Sequence, residues 1–318
     1  MKAAAQLDYG SLVMRDVDAP EPSEGKLLVR VRATSLNAAD WYGFNGRPYL
    51  ARPLMGLRKP RSAEAGIDFA GVVTAVGAGT MGFVAGDEVY GCQNGAFAEY
   101  VLVAKAVAPK PANLSFEEAA AVPVAGVTAL QGLRDHGGVR PGQKVLVNGA
   151  AGGVGTFAVQ IAKALGTDVH AVCSTRNVVQ ARELGATRVF DYTCEDFARS
   201  GERYDVLFDN AGNRSWRSMR TVLASDGTVV LVGGPREKRW FGPLGHIAQA
   251  RLAATLDRRT AVFFIAKPNT DDLEALRDLI ESGQVKPVIE HRYDLAQIVE
   301  AMRNLDDGHA RAKTVVSI

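Results

Sequence analysis

The sequence predicts an α/β protein in which a doubly wound parallel sheet is joined to a second, mainly β block. Three observations carry this prediction. Residues 144–166, KVLVNGAAGGVGTFAVQIAKALG, run an apolar strand into clustered glycines and then into an amphipathic helix. From about Ala119 onward, strand-like and helix-like periods alternate, the pattern of parallel strands joined by crossover helices. Before that point short β-rich runs follow one another with turns between them.

In the first block, residues 26–33, 71–76, 87–90 and 96–103 read as strands, because apolar and β-branched residues are dense in them and turn formers bound them. The proline- and arginine-rich stretch 47–61 reads as one long irregular loop, either a solvated surface loop or a lid over a substrate. Residues 145–147 then predict a buried strand, 149–155 a tight turn, and 156–165 a helix ended by Gly166. Further strands are expected at 168–173, 188–191, 204–209 and 227–232, with helices over 178–184 and near 215–223. Residues 263–265 are apolar enough for an edge strand. The chain closes with a helix at 271–282, a short strand near Val288, a helix at 295–304 and a strand at 314–318.

Composition narrows the function. The chain has 318 residues, 37 basic against 35 acidic, for a net charge of +2. That balance gives no overall field to collect nucleic acid or an anionic membrane, so a small-molecule partner is expected. The first residues lack a long apolar run, and the apolar stretch 119–133 is alanine-rich and broken by Pro123 and Gly126. Neither reads as a signal segment or a membrane span, and a cytoplasmic location is expected. Three cysteines without a CxxC pair point to neither a disulfide framework nor a structural zinc site.

The glycine turn predicts an anion site. Amides at a helix start, aided by the positive end of the helix dipole, accept a pyrophosphate where only small residues let it approach. Ala150, Gly152 and Gly155 match the dinucleotide-binding spacing with alanine in the first slot, and Gly153 and Val154 lie in the same turn. The next strand decides which dinucleotide. Its C-terminal end carries Ser174, Thr175 and Arg176, where an NAD site offers a carboxylate to the ribose, while Asp168 stands at the wrong end. A charge-assisted bond from Arg176 to a 2′-phosphate contributes about 1.5–3 kcal/mol, a preference for NADPH of roughly ten- to a hundredfold. Tyr192, Asn210, Gly233 and Gly234 follow other strands of the sheet, where this architecture gathers ligands.

Beyond these local readings, Gly66-Ile67-Asp68-Phe69-Ala70-Gly71, Val73, Val76, Gly77, Phe83 and Gly86-Asp87-Glu88-Val89 resemble the catalytic-domain signature of medium-chain dehydrogenases/reductases. The blocks 95–101, 125–129 and 148–155 are similar to further motifs of that family, so the resemblance covers essentially the whole chain. It implies a GroES-like catalytic domain over residues 1–120, a Rossmann domain over 121–262, and a segment 263–318 that returns to the catalytic domain. A catalytic zinc needs three soft or imidazole ligands, usually Cys and His, with an open position. All five histidines lie beyond the first block, which holds the single cysteine Cys92. Where zinc alcohol dehydrogenases carry a ligand cysteine, the chain reads Asn37-Ala38-Ala39-Asp40, and no metal is expected. This resembles the zinc-independent quinone oxidoreductase branch, relatives of zeta-crystallin, and departs from it at Phe44 and in the lengthened 47–61 loop.

The resemblance implies hydride transfer from NADPH to quinones or α,β-unsaturated carbonyls, which spread the incoming charge by conjugation in place of a Lewis acid. Asn37 and Tyr42 are then the candidate donors to the developing oxygen charge, Tyr42 also a candidate proton source beside bulk water, and Asp40 a residue that orders the loop. Thr128 resembles the family residue near the nicotinamide phosphate, Lys313 its terminal basic contact, and Phe264 completes the expected cofactor set. The edge strand implies a homodimer. Two other readings stay open: a carbonyl reductase or alcohol dehydrogenase on the same scaffold, and a dinucleotide-binding protein that is not primarily an enzyme.

Overall fold

The computed structural model describes residues 1–234, 240–257, 259–306 and 311–318. Gly308, His309 and Ala310, which precede Lys313 in the sequence, lie outside the described residues.

Apolar runs punctuated by glycine become a six-stranded sheet in the order Arg188–Asp191, Asp168–Cys173, Lys144–Asn148, Tyr204–Asp209, Leu223–Leu231 and Thr260–Phe263. All neighbouring pairs are parallel. The chain's first strand of this sheet therefore lies beside its fourth, and Asn148 and Asp209 are register partners where the winding reverses. At such a reversal the crossover helices leave in opposite directions and open a crevice at the C-terminal strand ends. Val145, Leu146 and Val147 are fully buried, which is why this segment reads as a continuous apolar run and not an alternating one. On one face Leu146, Phe190, Tyr204, Leu207 and Met219 form a single core cluster.

The helix after the central strand spans Gly153–Ala164 and begins three residues before its predicted start. Its glycines are poor helix formers, but a Cβ on Gly155 would collide with Gly149 O at the strand end. The edge strand is Thr260–Phe263, earlier than the predicted 263–265, and Phe264 follows it directly.

A second, seven-stranded sheet has Leu27–Leu36 at its centre. On one side lie Lys313–Ser317 and Ile289–Asp294, on the other Asp68–Val76, Glu88–Cys92 and Val107–Pro109, with Tyr100–Val103 also pairing with the central strand. Its core contains Leu27, Val29, Val31, Phe69, Val73 and Val89. The hairpin Lys2–Asp8 with Ser11–Asp16 forms a two-stranded sheet of its own, bridged to Ala98 and Glu64. The expected irregular loop at 47–61 holds a 3-10 turn, Tyr49–Ala51, and a short helix, Arg52–Met55. Pro53 sits in the first turn of that helix, where its missing N–H has no intrahelical partner to lose.

The chain divides into two compact units, Met1–Val127 with Pro268–Gly283 and Pro287–Ile318, and Thr128–Lys267 with Gln284–Lys286. Among the described residues no helix is long and apolar enough to cross a membrane.

Candidate functional site

In the parallel-sheet unit, the helix Gly153–Ala164 starts at Gly152 with no side-chain cap. The first intrahelical bond runs from Thr156 N to Gly152 O at 3.0 Å, so the amides of Gly153, Val154 and Gly155 point out of the helix start without an intrahelical acceptor. A Cβ on Gly155 would lie 2.1 Å from Gly149 O, which forces glycine there for helix and strand end to meet. A Cβ on Gly152 would touch only Asn210 Nδ2 at 3.5 Å and Gly149 O at 3.7 Å, leaving open space in front of the amides. Uncapped donors, a helix dipole and a glycine-lined approach fit the pyrophosphate of a dinucleotide. Ala150 serves the turn differently. It is buried and its amide donates to Val172 O at 3.1 Å, so it shapes the turn and offers no donor.

The other expected cofactor residues of this unit gather at the C-terminal strand ends. Ser174 is half-buried, with its hydroxyl accepting from Asn177 Nδ2 at 3.1 Å. Thr175 and Arg176 are exposed, and Thr175 shares a 2.9 Å hydroxyl contact with Thr193. Tyr192 is exposed one residue beyond its strand. Asn210, Gly233 and Gly234 are half-buried after their strands, while Thr128 is half-buried in the helix Pro123–Gln131. Phe264 stacks on His136 with ring centroids 4.3 Å apart.

Two acidic residues here escaped the sequence reading. Asp191 ends the strand beside Asp168–Cys173, in register with Cys173. Hydrogen bonds from Thr175 and Thr193 hold its carboxyl below the usual carboxylate range. This carboxylate stands on the neighbouring strand, where a search confined to the end of the second strand does not look. Asp209 is fully buried, accepts from Asn148 Nδ2 at 2.8 Å and Gly212 N at 2.9 Å, and places its other oxygen 3.7 Å from His246 Nε2. The signal was an acidic residue placed directly after the apolar run 206–208 at the strand's C-terminal end.

In the antiparallel-sheet unit, strand register brings distant residues to one sheet end. Asp68 pairs with Ser35 and Cys92, and Thr314 pairs with Leu36. The fully buried Asp68 carboxylate accepts from Ser35 Oγ and Asn37 Nδ2, both at 2.8 Å, from Val124 N at 3.0 Å, and lies 3.4 Å from Lys313 Nζ. Lys313 also donates to Asn37 Oδ1 at 2.6 Å and Leu36 O at 3.0 Å. All three of its hydrogens are thus used within this unit, with the side chain 3% exposed. In this arrangement the Lys313 ammonium is the buried counter-ion of Asp68. Asn37 is likewise the hub of the cluster: its Nδ2 donates to Asp68, its Oδ1 accepts from Lys313, and its side chain also bonds to Asp40.

Asn37 also begins the helix Ala38–Asn45, its amide donating to Asp40 Oδ2 at 2.8 Å, which is the ordering role expected of Asp40. Loss of hydration, reinforced by the Asp68 carboxylate, pushes the Asp40 carboxyl up to about 7. Asp40 borders a cavity of about 160 Å³, with Phe44, Glu64, Ile67, Asn94 and Met302 among its walls. Tyr42, on the same helix, is half-buried and meets the Trp41 ring edge-on at 5.1 Å. Among the described residues no group of three His, Cys, Asp or Glu side chains is arranged to hold a metal ion.

The alcohol dehydrogenase GroES-like domain family matches residues 23–112, and the zinc-binding dehydrogenase family matches residues 184–316. A 2-methylene-furan-3-one reductase of Solanum lycopersicum is 33% identical over 335 residues, covering 99% of this chain and 79% of its own length. The quinone oxidoreductase of Coxiella burnetii superposes with a TM-score of 0.88 at 30% identity, covering 100% of this chain and 99% of that one. Escherichia coli quinone oxidoreductase complexed with NADPH gives 0.84 at 25% identity, with complete coverage of both chains. The chain therefore belongs to the medium-chain dehydrogenases/reductases, within their zinc-independent quinone oxidoreductase branch.

Proposed function

We propose that this protein is an NADPH-dependent reductase of conjugated acceptors, quinones and α,β-unsaturated carbonyls. The observation that carries the reading is the uncapped, glycine-lined start of the helix Gly153–Ala164, flanked at the next strand end by Ser174, Thr175 and Arg176. Bound NADPH supplies a hydride from the nicotinamide ring. The chain's own residues do the rest. Amides of Gly153 to Gly155 hold the pyrophosphate, with Gly152 leaving room and Ala150 fixing the turn. Arg176 pairs with the 2′-phosphate, while Asp191 orders Thr175 and Thr193 beside it. Tyr192 flanks the adenosine end, and Thr128, Asn210, Gly233, Gly234 and Phe264 serve the nicotinamide half.

Hydride addition to a conjugated acceptor leaves charge on its oxygen, and a hydrogen-bond donor aimed there contributes about 2.7–4 kcal/mol. Tyr42 is the candidate for this donor. Asn37, tied to Lys313 and Asp68, acts mainly by fixing the start of the helix that carries Tyr42. The Solanum relative's named substrate, a 2-methylene-furan-3-one, is itself a conjugated enone, which supports this acceptor class.

Steady-state oxidation of NADPH with a panel of quinones, enones and simple aldehydes tests the reading. Turnover of quinones or enones without aldehydes is expected. Equal turnover of simple aldehydes points to the carbonyl-reductase alternative, and tight NADPH binding with no turnover on any acceptor to a non-catalytic role. Tyr42→Phe is expected to slow enone turnover more than threefold, and a smaller loss retires Tyr42 as the donor. The sheet edge at Thr260–Phe263 is proposed to pair with a second copy, so light scattering should return a dimer mass.

A further inference from the structure

The segment between Trp41 and Ala63 contains five cations, Arg47, Arg52, Arg58, Lys59 and Arg61, and no Asp or Glu. The same segment holds out three leucines: Leu50 is 53% exposed, Leu54 77% and Leu57 69%. Leu50 lies in the 3-10 turn Tyr49–Ala51, Leu54 in the short helix Arg52–Met55, and Leu57 just beyond its end. Arg58, Lys59 and Arg61 are exposed beside them.

This exposure is built in, since the segment is tied down at several points. The Arg52 guanidinium lies between the rings of Tyr9 and Tyr49, 4.6 and 4.5 Å from their centroids, and its Nε donates to Gly46 O at 3.0 Å. Tyr9 donates to Gly56 O at 2.5 Å, Arg61 N to Met55 O at 2.9 Å, and the Arg61 guanidinium to Pro53 O at 2.6 Å. A scaffold anchored by aromatic stacking and backbone bonds presents leucines and cations together on its outside. Leu50, Leu54 and Leu57 are the exposed large apolar residues of this segment.

We propose that residues 47–61 dock on an anionic lipid surface, the leucines entering the headgroup boundary and Arg58, Lys59 and Arg61 pairing with lipid phosphates. The mixture of apolar and cationic groups selects this partner. A nucleic acid satisfies the cations but gives the leucines nothing to enter, and the nearby rings of Tyr9 and Tyr49 are already stacked on Arg52. A near-neutral net charge does not oppose the docking, because lipid headgroups respond to charge within a Debye length and not to the chain's total. The inference is independent of the acceptor assignment, and its test involves no turnover.

Co-sedimentation of the full chain with phosphatidylcholine vesicles containing roughly one-third phosphatidylglycerol tests it directly. Pelleting is expected on the mixed vesicles, falling at high salt and weak on pure phosphatidylcholine. The double variants Leu54→Ser/Leu57→Ser and Arg58→Glu/Lys59→Glu should each lower the bound fraction at least about fivefold, with thermal melts confirming that both remain folded. Pelleting no greater than without vesicles overturns the proposal, as does pelleting indifferent to both variants. Binding to a mixed-sequence RNA that the leucine variant leaves intact reassigns the patch to nucleic acid. A self-association on size exclusion that the leucine variant abolishes reassigns it to a second copy of the chain.

Discussion

The glycine turn of the parallel-sheet unit and the Asp68 cluster of the antiparallel-sheet unit are both polar sites at the ends of apolar strands, yet their hydrogen-bond inventories are opposite. At the turn, helix-start amides face open space and no side chain caps them. At the cluster, the Lys313 ammonium and the Asp68 carboxylate are buried with their bonding positions filled. Open donors are the signature of a place made for a ligand, and a saturated network is that of a place made to hold shape. Asn37 links this difference to chemistry, since the saturated side fixes the start of the helix bearing Tyr42.

The sharpest way to break this contrast is to close the open side. Gly152 has φ of −76° and room for a side chain, so Gly152→Asp is sterically permitted and supplies the missing helix cap. Stability is expected to hold or rise while NADPH affinity, measured by fluorescence titration, falls at least about a hundredfold through charge repulsion and occupied amides. Parallel losses of stability and binding would mean that the turn is only structural.

The next test opens the saturated side. Lys313→Met leaves the Asp68 charge buried without its counter-ion, a change that costs about 3–5 kcal/mol. Urea denaturation should show that loss, with NADPH affinity of the folded variant unchanged. A variant that keeps its stability and loses NADPH binding would restore Lys313 to the cofactor.

Arg176→Asp comes third. It is expected to remove the roughly ten- to hundredfold preference for NADPH over NADH, read from the ratio of the two dissociation constants, with little effect on melting. An unchanged ratio would remove Arg176 from cofactor choice.

The smallest effect concerns Asp40, whose carboxyl is pushed from 3.8 up to about 7, burial being the main cause. The folded state holds this proton more tightly than the unfolded chain does. Stability is therefore full below the unfolded value, declines as pH rises from about 4 to about 7, and is level above. Asp40→Asn removes that decline while keeping an acceptor for the Asn37 amide, so its melting temperature should gain on the parent across this window and not below it. A gain that is constant with pH would assign the effect to packing.

What the sequence disclosed follows the range of the interactions involved. The strands at residues 168–173, 188–191 and 204–209 are found where expected, because contiguous apolar runs between glycines encode burial locally. The glycine turn was legible for the same reason, since its spacing, strand and helix all lie within 23 residues of sequence. The pairing of Lys313 with Asp68 was not: Lys313 is expected as a terminal basic contact, and its burial beside Asp68 arises from the pairing of Thr314 with Leu36, far apart along the chain. Asp191 was hidden by strand order, which places it beside the end of the preceding strand. The segment 47–61 was read as irregular because Pro48 and Pro53 break helical periodicity, although Pro53 occupies a first helical turn, where proline is tolerated.

The central claim, that the open amides at Gly153 to Gly155 and the Arg176 strand end form an NADPH site, is tested most directly by titrating the wild-type protein with NADPH and NADH under identical conditions. The account predicts saturable binding of both, with NADPH tighter by roughly ten- to a hundredfold. Absence of binding by either dinucleotide, or tighter binding of NADH, would contradict it.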